Sequence, residues 1–409
     1  MPPPQSRDRA QPIEANILMT ATLCLLAAGA VMVYSASSAK TVVAAHGGDG
    51  AAYLIKYVGF ACVGFVLMHL ISRHGLKYVA QFTVPLLCVC LVLQALVLVP
   101  GIGVEVNGSR RWLGAGPLQF QPAELLKFAL VLHAVRMLAM KPKIVASPRL
   151  LVPLAAVALF GIGLVAAKDL GTALVMAFAL CALLVAAGMP LRYLAAIAAA
   201  GGCVVLILAL IEPYRLQRLT SFMDPWADAQ DSGHQAVQGQ IALGSGGFFG
   251  RGLGESVQKV YYLPEAHTDF ILAIIGEELG VFGVTVLLFL YGLIAYAGLR
   301  IAQGAQGAYG KLLAAGLTSM IICQAMLNTF TVLGMVPLTG VPLPFISYGS
   351  TNLIMLLMSM GLLMNIAQGG VVHVRALPGS ASDGTSVDSR RRDSRPRGAR
   401  AGGRRRATG

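Results

Sequence analysis

Ten apolar runs of roughly 20 residues succeed one another along this 409-residue chain, and no other feature constrains its fold as strongly. They cover about 17–36, 54–72, 79–99, 121–140, 150–167, 170–189, 193–211, 268–299, 312–335 and 351–368. About 20 apolar residues is the length of a helix that crosses a bilayer. Inside hydrocarbon each backbone N–H and C=O must be satisfied by the protein itself, which leaves helices or closed barrels. The ten-residue alternation of barrel strands is absent. Charged residues make up 12% of the chain and apolar ones 56%, so a soluble fold would lack a charged surface. The expected fold is an all-α polytopic membrane protein with about ten transmembrane helices. The first run is too long for a signal-peptide core and reads as a span. The eighth is too long for one straight crossing and is expected to begin in a partly buried segment or to tilt.

Lys and Arg set the orientation. With the N-terminus in the cytoplasm, 21 of the 31 cationic residues fall inside and 9 outside, with Lys127 within a span; without the C-terminal tail the split is 11 to 9. Both termini are then cytoplasmic. Three parts follow: a short cytoplasmic segment (1–16), a membrane domain (17–370) and a basic tail (371–409). The tail carries ten Arg and few large apolar residues, a composition expected to stay disordered. It suits an anchor on anionic lipid or a docking element for an acidic partner, and nucleic-acid binding is not indicated. One external loop, 212–267, is long. Its aromatics, including Trp226, Phe248, Phe249, Tyr261 and Tyr262, and its glycines from Gly244 to Gly254 predict an ordered loop packed on the membrane face. The glycines could bring N–H groups to an anion. All seven cysteines lie in apolar runs and read as small buried hydrophobes, not as disulfides or metal ligands.

Ionisable groups at membrane depth are functional candidates. Glu124 and Lys127 lie three residues apart on one helical face, after Pro122, as a structural ion pair or as the lining of a polar cavity. Arg110, Arg111 and Trp112 precede them on the external side; two Arg beside an aromatic suit a pyrophosphate, and Trp112 also suits interfacial anchoring. Asp169 opens the sixth run as a helix cap or a site acid. Asp269 sits where the long loop enters the membrane, next to His267 and Thr268, placed for a helix cap or a general base. Glu277 and Glu278 point in different directions, and one is expected to tie helices together. Three Pro and two Gly between Pro337 and Gly349 forbid a continuous helix and predict a rigid connector that walls a cavity. No Walker loop, metal cluster or nucleophile elbow is present, so an enzyme of this kind must receive an activated substrate.

These pieces together resemble the SEDS family of bacterial shape, elongation, division and sporulation proteins. The blocks are Met32 to Ser37; Gly108 to Trp112 with Gln121 to Lys127; Asp169 to Thr172; Tyr262 to Phe270 with Gly276 to Gly280; and Pro337 to Gly340 through Ser347-Tyr348-Gly349. The forms Leu263 to Phe270 and Asp224-Pro225-Trp226-Ala227-Asp228 resemble the family's division member more than its elongation member. The resemblance implies a peptidoglycan glycosyltransferase that polymerises lipid II at the outer face of the bacterial cytoplasmic membrane, at the division septum. It implies Asp269 as general base on the acceptor 4-hydroxyl. Arg111 and Lys127 would hold the pyrophosphate and Glu124 would hold Lys127. Asp169 and His267 would border the substrate, and Glu278, Pro337, Gly340, Pro344 and Ser347 would be structural or wall residues. No cofactor is required, although a divalent cation at the pyrophosphate is compatible. Implied partners are a class B penicillin-binding transpeptidase of the FtsI type and other divisome membrane proteins. The chain departs from the family at Lys168, where a Pro is usual, and at Ser350-Thr351-Asn352, where Gly-Ser-Ser is usual. A lipid II flippase and a non-catalytic divisome scaffold fit part of the same pattern.

Overall fold

The structure, a computed structural model, describes residues 13–372 apart from 45–50, 107–108, 116–117, 142–144, 146–147, 212, 232, 261–262 and 265. Most of the N-terminal segment, nearly all of the tail, and Tyr261 and Tyr262 therefore lie outside the described residues. The helices are α1 (Ile13–Ala44), α2 (Ala52–Leu98), α3 (Pro122–Met140), α4 (Pro148–Ala166), α5 (Leu170–Ala186), α6 (Leu191–Ile211), α7 (Pro213–Met223), α8 (His234–Ser245), α9 (Ile271–Gly304), α10 (Gly307–Val332) and α11 (Ser350–Ala367). Every expected apolar run falls on one of them. Six helices are long and apolar enough to cross a membrane on length and composition, among the described residues. The charges of α3 keep it out of that group, and α5 and the first part of α6 are shorter apolar helices.

Two expected runs share α2, whose 47 residues exceed any bilayer. Its neighbours show how it is accommodated. Gly64 faces Leu357 and Gly361 faces Met68, so its first half runs alongside α11 in the same direction. Arg136, near the end of α3, donates to Ala80 O, while Gly161 of α4 lies close to both Leu91 and Leu126, the latter near the start of α3. Its second half is therefore antiparallel to α3. Because Gln121 N donates to Thr351 Oγ1, α3 and α11 start at the same level. The two halves of α2 thus run in opposite directions, and the chain folds back around Arg73 to Lys77.

The helical expectation holds, with one small addition that the sequence did not announce. A small antiparallel sheet, order β1-β2-β3, forms from β1 (Val104–Val106), β2 (Ser109–Ala115) and β3 (Leu118–Phe120). It puts Arg110, Arg111 and Trp112 on a strand. The strands are too short to announce themselves by alternation. The cysteines also differ from expectation. All are free, but only Cys90 is buried; Cys24, Cys62, Cys88 and Cys203 lie on exposed apolar faces. In a bilayer protein such faces meet lipid tails, so an apolar run does not identify the inward residues.

The long loop is ordered, as expected, and contains α7 and α8. The eighth run begins in a protein-buried segment: residues 271–278 are all buried, and the helix breaks at Gly280 (φ 66°, ψ −165°). The break frees backbone groups that the glycine-rich loop takes up. Arg251 N and Gly252 N donate to Glu277 O and Glu278 O, and Val281 N and Phe282 N donate to Gly247 O and Phe248 O, each at 3.0 Å. A Cβ at Gly250 would lie 2.1 Å from Glu278 O and one at Gly280 2.4 Å from Gly250 N, so both close approaches require glycine. Gly250 and Gly280 serve this stitching, and the N–H groups of Arg251 and Gly252 are taken up by the carbonyls of the broken helix.

Between α10 and α11 the connector dips into the core: Val341, Leu343, Phe345, Ile346 and Ser347 are all buried. Irregular backbone at such depth must be satisfied by other groups. Tyr57 donates to Phe345 O, Tyr291 to Pro344 O, Gln324 to Pro342 O and Asn328 to Val341 O. The Ser347 hydroxyl accepts from Leu343 N. Phe345 (φ 64°) adopts a left-handed conformation rare for an aromatic.

Candidate active site

A cavity of about 1320 Å³ opens on the side of the connector, with walls from β2, α5, α7, α10, the connector and the segment that ends at Asp269. Its polar end carries Arg111, Lys168, Arg218, Asp269 and Tyr348; its apolar end, along α5 and α10, carries Leu174, Phe178, Cys323 and Met326. A charged mouth above an apolar slot matches an amphiphile with an anionic head.

Asp269 and Arg111 meet at Gly340. A Cβ on that glycine (φ 67°) would lie 3.7 Å from Asp269 Oδ2 and 3.8 Å from Arg111 Nη1, so carboxylate and guanidinium converge on one point of the wall. Thr268 Oγ1 lies 3.2 Å from Asp269 Oδ1. Asn328 Nδ2 donates to both Asp269 O and Val341 O at 2.7 Å, fixing the acid's backbone to the connector. Asp269 does not cap α9; the cap position is Phe270. Arg111 is oriented by Nε donation to Ser109 Oγ (3.0 Å) and Lys168 O (3.1 Å), and its Nη1 lies 3.9 Å from Asp169 Oδ2. Arg218 reaches in from α7 and donates to Leu338 O. Burial and the neighbouring Tyr53 hold the Tyr348 phenol above its ordinary pKa, so it faces the cavity neutral.

Asp169 is the helix cap. Its Oδ1 accepts from Thr172 N at 3.0 Å, and its Oδ2 accepts from Thr172 Oγ1 and Gln121 Nε2. It stands behind Arg111, not in the lining. Glu124 and Lys127 also depart from the expected cavity wall. They form a buried 2.6 Å ion pair, and Lys127 Nζ donates to Gln324 Oε1 at 2.7 Å while Gln324 holds Pro342 O. The pair supports the connector from below and is absent from the lining. Spacing of three residues shows that two groups face each other, not which wall they share. His267 is buried behind Tyr348, its ring 4.9 Å from Tyr53 and 6.0 Å from Tyr348, with its carbonyl accepting from Tyr348 N. It braces the mouth and does not border substrate space. Pro337 and Gly340 line the cavity; Pro344 and Ser347 lie beneath it. Glu278 ties α9 to α1 through Ser35 (2.6 Å), and Glu277 accepts from Ser256 Oγ.

Sequence reasoning missed Gln324, Asn328 and Arg218. The first two carried a usable signal: two carboxamides four residues apart in an apolar run lie on one face and need partners. Among the described residues no three His, Cys, Asp or Glu side chains converge to hold a metal ion.

The family model described as cell cycle protein, covering the FtsW, RodA and SpoVE proteins, matches residues 16–370. The chain belongs to this family. Stage V sporulation protein E of Bacillus subtilis is 38% identical over 355 residues, covering 86% of this chain and 96% of that protein. A probable peptidoglycan glycosyltransferase FtsW of Geobacter sulfurreducens is 37% identical over 353 residues, covering 86% and 94%. Among solved structures, one of a peptidoglycan synthase complex that coordinates polymerization and crosslinking superposes with a TM-score of 0.70 at 29% identity, covering 86% of this chain and 96% of its match. The rod shape determining protein RodA of Thermus thermophilus gives 0.63 at 29% identity, covering 86% and 95%. Membership agrees with the helical bundle and makes this a multi-pass bacterial membrane protein.

Proposed function

We propose that the chain polymerises lipid II at the outer face of the cytoplasmic membrane during septal wall synthesis, with Asp269 as general base. At the coarser level it is a peptidoglycan glycosyltransferase: FtsW relatives named as such match it over most of both lengths. The observation that carries the finer reading is the convergence of Asp269 and Arg111 on Gly340 at the polar end of an amphiphilic cavity.

In the proposed step Asp269 Oδ2 takes the proton of the acceptor 4-hydroxyl as its oxygen attacks the anomeric carbon of the lipid-linked donor. The bond from that carbon to the phosphate oxygen breaks, its electron pair stays on the pyrophosphate, and undecaprenyl pyrophosphate leaves. Arg111, prepositioned by Ser109 and the Lys168 carbonyl, faces the developing negative charge. Lys168 and Arg218 add cations to the same mouth. Glu124 and Lys127 act through Gln324 on the connector, so their contribution is to the wall's shape. Polyprenyl carbons suit the apolar slot along α5 and α10. A positioned base of this kind typically contributes about 10²–10⁴-fold. A class B transpeptidase of the FtsI type and other divisome membrane proteins are the proposed partners, in line with the synthase complex that this fold resembles.

The test is polymerisation of labelled lipid II by the full chain purified with its transpeptidase, in moenomycin, read on a gel. Wild type should give glycan strands and a folded Asp269→Ala variant none. Strands from both would remove Asp269 as base. None from an intact wild-type complex would favour a flippase, measured next by lipid II translocation in liposomes.

A further inference from the structure

Lys259 is a cation nearly sealed from solvent (6% exposed) yet absent from the cavity lining. Its Nζ donates to Glu278 Oε1 at 2.9 Å, to Ser35 Oγ at 3.0 Å and to Gly254 O at 2.7 Å. Ser35 Oγ donates to the same Glu278 oxygen at 2.6 Å. Next door, the Glu277 carboxylate accepts from Ser256 Oγ, Val257 N and Gln258 N, and lies 3.5 Å from Arg251. Both carboxylates occupy the last turn before the break at Gly280. The loop 251–259 is therefore fastened to the end of a buried half-helix whose other end begins just after Asp269.

The connectivity gives this arrangement a consequence. The Lys259–Glu278 pair closes a ring of chain, and Asp269 is ten residues from one side of the clasp and nine from the other. One arm of the ring is the buried half-helix; on the other, Leu263, Ala266 and His267 are buried. Asp269 stands at the apex, anchored elsewhere by Asn328 at its carbonyl. Closing a loop removes conformational freedom from the residues it encloses, Asp269 among them.

We infer that Lys259, Glu278 and Ser35 form a positioning clasp for Asp269 that sets where the carboxylate stands against Arg111. These are positioning residues; none of them touches the cavity. The inference rests on Asp269 as general base. A displacement of about 1 Å at a reacting group can cost about 10²-fold, so loosening the clasp should slow turnover without weakening lipid II binding.

The pair must be removed as a pair, because either charge alone would be left buried and unpaired. The full chain with its transpeptidase would carry Lys259→Met with Glu278→Gln, and kcat and KM would be measured with lipid II, counted per molecule that binds it. The expected result is kcat down by about tenfold or more with KM within about twofold. Placed in an Asp269→Glu background, where the carboxylate is already displaced, the same double change should cost less than about twofold more. Wild-type kcat in the double variant overturns the clasp, and so does an equal loss in both backgrounds, which would mark a purely structural pair. Should the double variant fail to fold, Ser35→Ala keeps both charges and removes one donor; about a threefold drop in kcat supports the clasp and an unchanged kcat overturns it. Asp269→Asn, run alongside, separates the two readings: if it still polymerises, the base assignment fails and the clasp with it, whereas an inactive Asp269→Asn beside a fully active double variant removes the clasp alone.

Discussion

Asp269 and Lys127 are both charges next to an apolar run, yet their surroundings assign them opposite kinds of work. Asp269 lines open space within reach of a guanidinium; Lys127 is consumed by a carboxylate and a carboxamide. Lys127→Met alone should leave Glu124 as an unpaired buried charge and destabilise the protein by about 3–5 kcal/mol, whereas Glu124→Met with Lys127→Met should recover most of that, read by thermal melting in detergent. Polymerisation by that double variant would locate the pyrophosphate contact at Arg111 and its neighbours. Asp169→Ala should remove a helix cap, at about 1 kcal/mol in stability, and also lower polymerisation, because Arg111 then loses the carboxylate behind it. At this scale the sequence marked the acid, the arginine and the cap, since charges at membrane depth are rare. It did not separate lining from support, because a side chain's partner on another helix leaves no trace in local spacing.

Among the elements, the broken helix and the buried connector carry the unusual backbone. Gly280→Ala should place a methyl against Gly250 N and Phe248 O in a backbone conformation that alanine avoids. A cost of about 1–3 kcal/mol or more is expected, seen as a lower melting temperature and as trypsin cleavage appearing after Arg251. Asn328→Leu should release both the Asp269 carbonyl and the connector, lowering polymerisation while expression in the membrane persists; loss of membrane insertion instead would contradict that assignment. Run length made the helices legible, and Pro337, Pro342 and Pro344 made the connector legible as non-helical. That it sinks into the core was not readable, because its carbonyls are met by Tyr57, Tyr291, Gln324 and Asn328 from three different helices. The Gly280 break was hidden too, since glycine is common within membrane helices and only the facing loop turns it into a break.

Across the whole molecule, the Lys and Arg of the short loops predict that the cavity mouth lies outside. In a cysteine-free background, Glu105→Cys in β1 should react with an impermeant maleimide added to intact spheroplasts, and Arg192→Cys, in the first turn of α6, should react only after lysis. The reverse pattern would invert the topology. The bundle itself was predictable from apolar runs. Its inward faces were not, because lipid-facing and core-facing positions are equally apolar, as the exposed cysteines show.

The connector also bears on the order in which the protein is made. Its carbonyls are gripped by side chains from α2, α9 and α10, all of which leave the ribosome before it does, and its far end is secured by α11, the last helix among the described residues. The wall that faces Asp269 is therefore laid last, against partners already waiting in the bilayer. A nascent chain halted before α11 would hold Asp269 and Arg111 but lack Thr351 and Asn352, with which α11 completes the cavity lining.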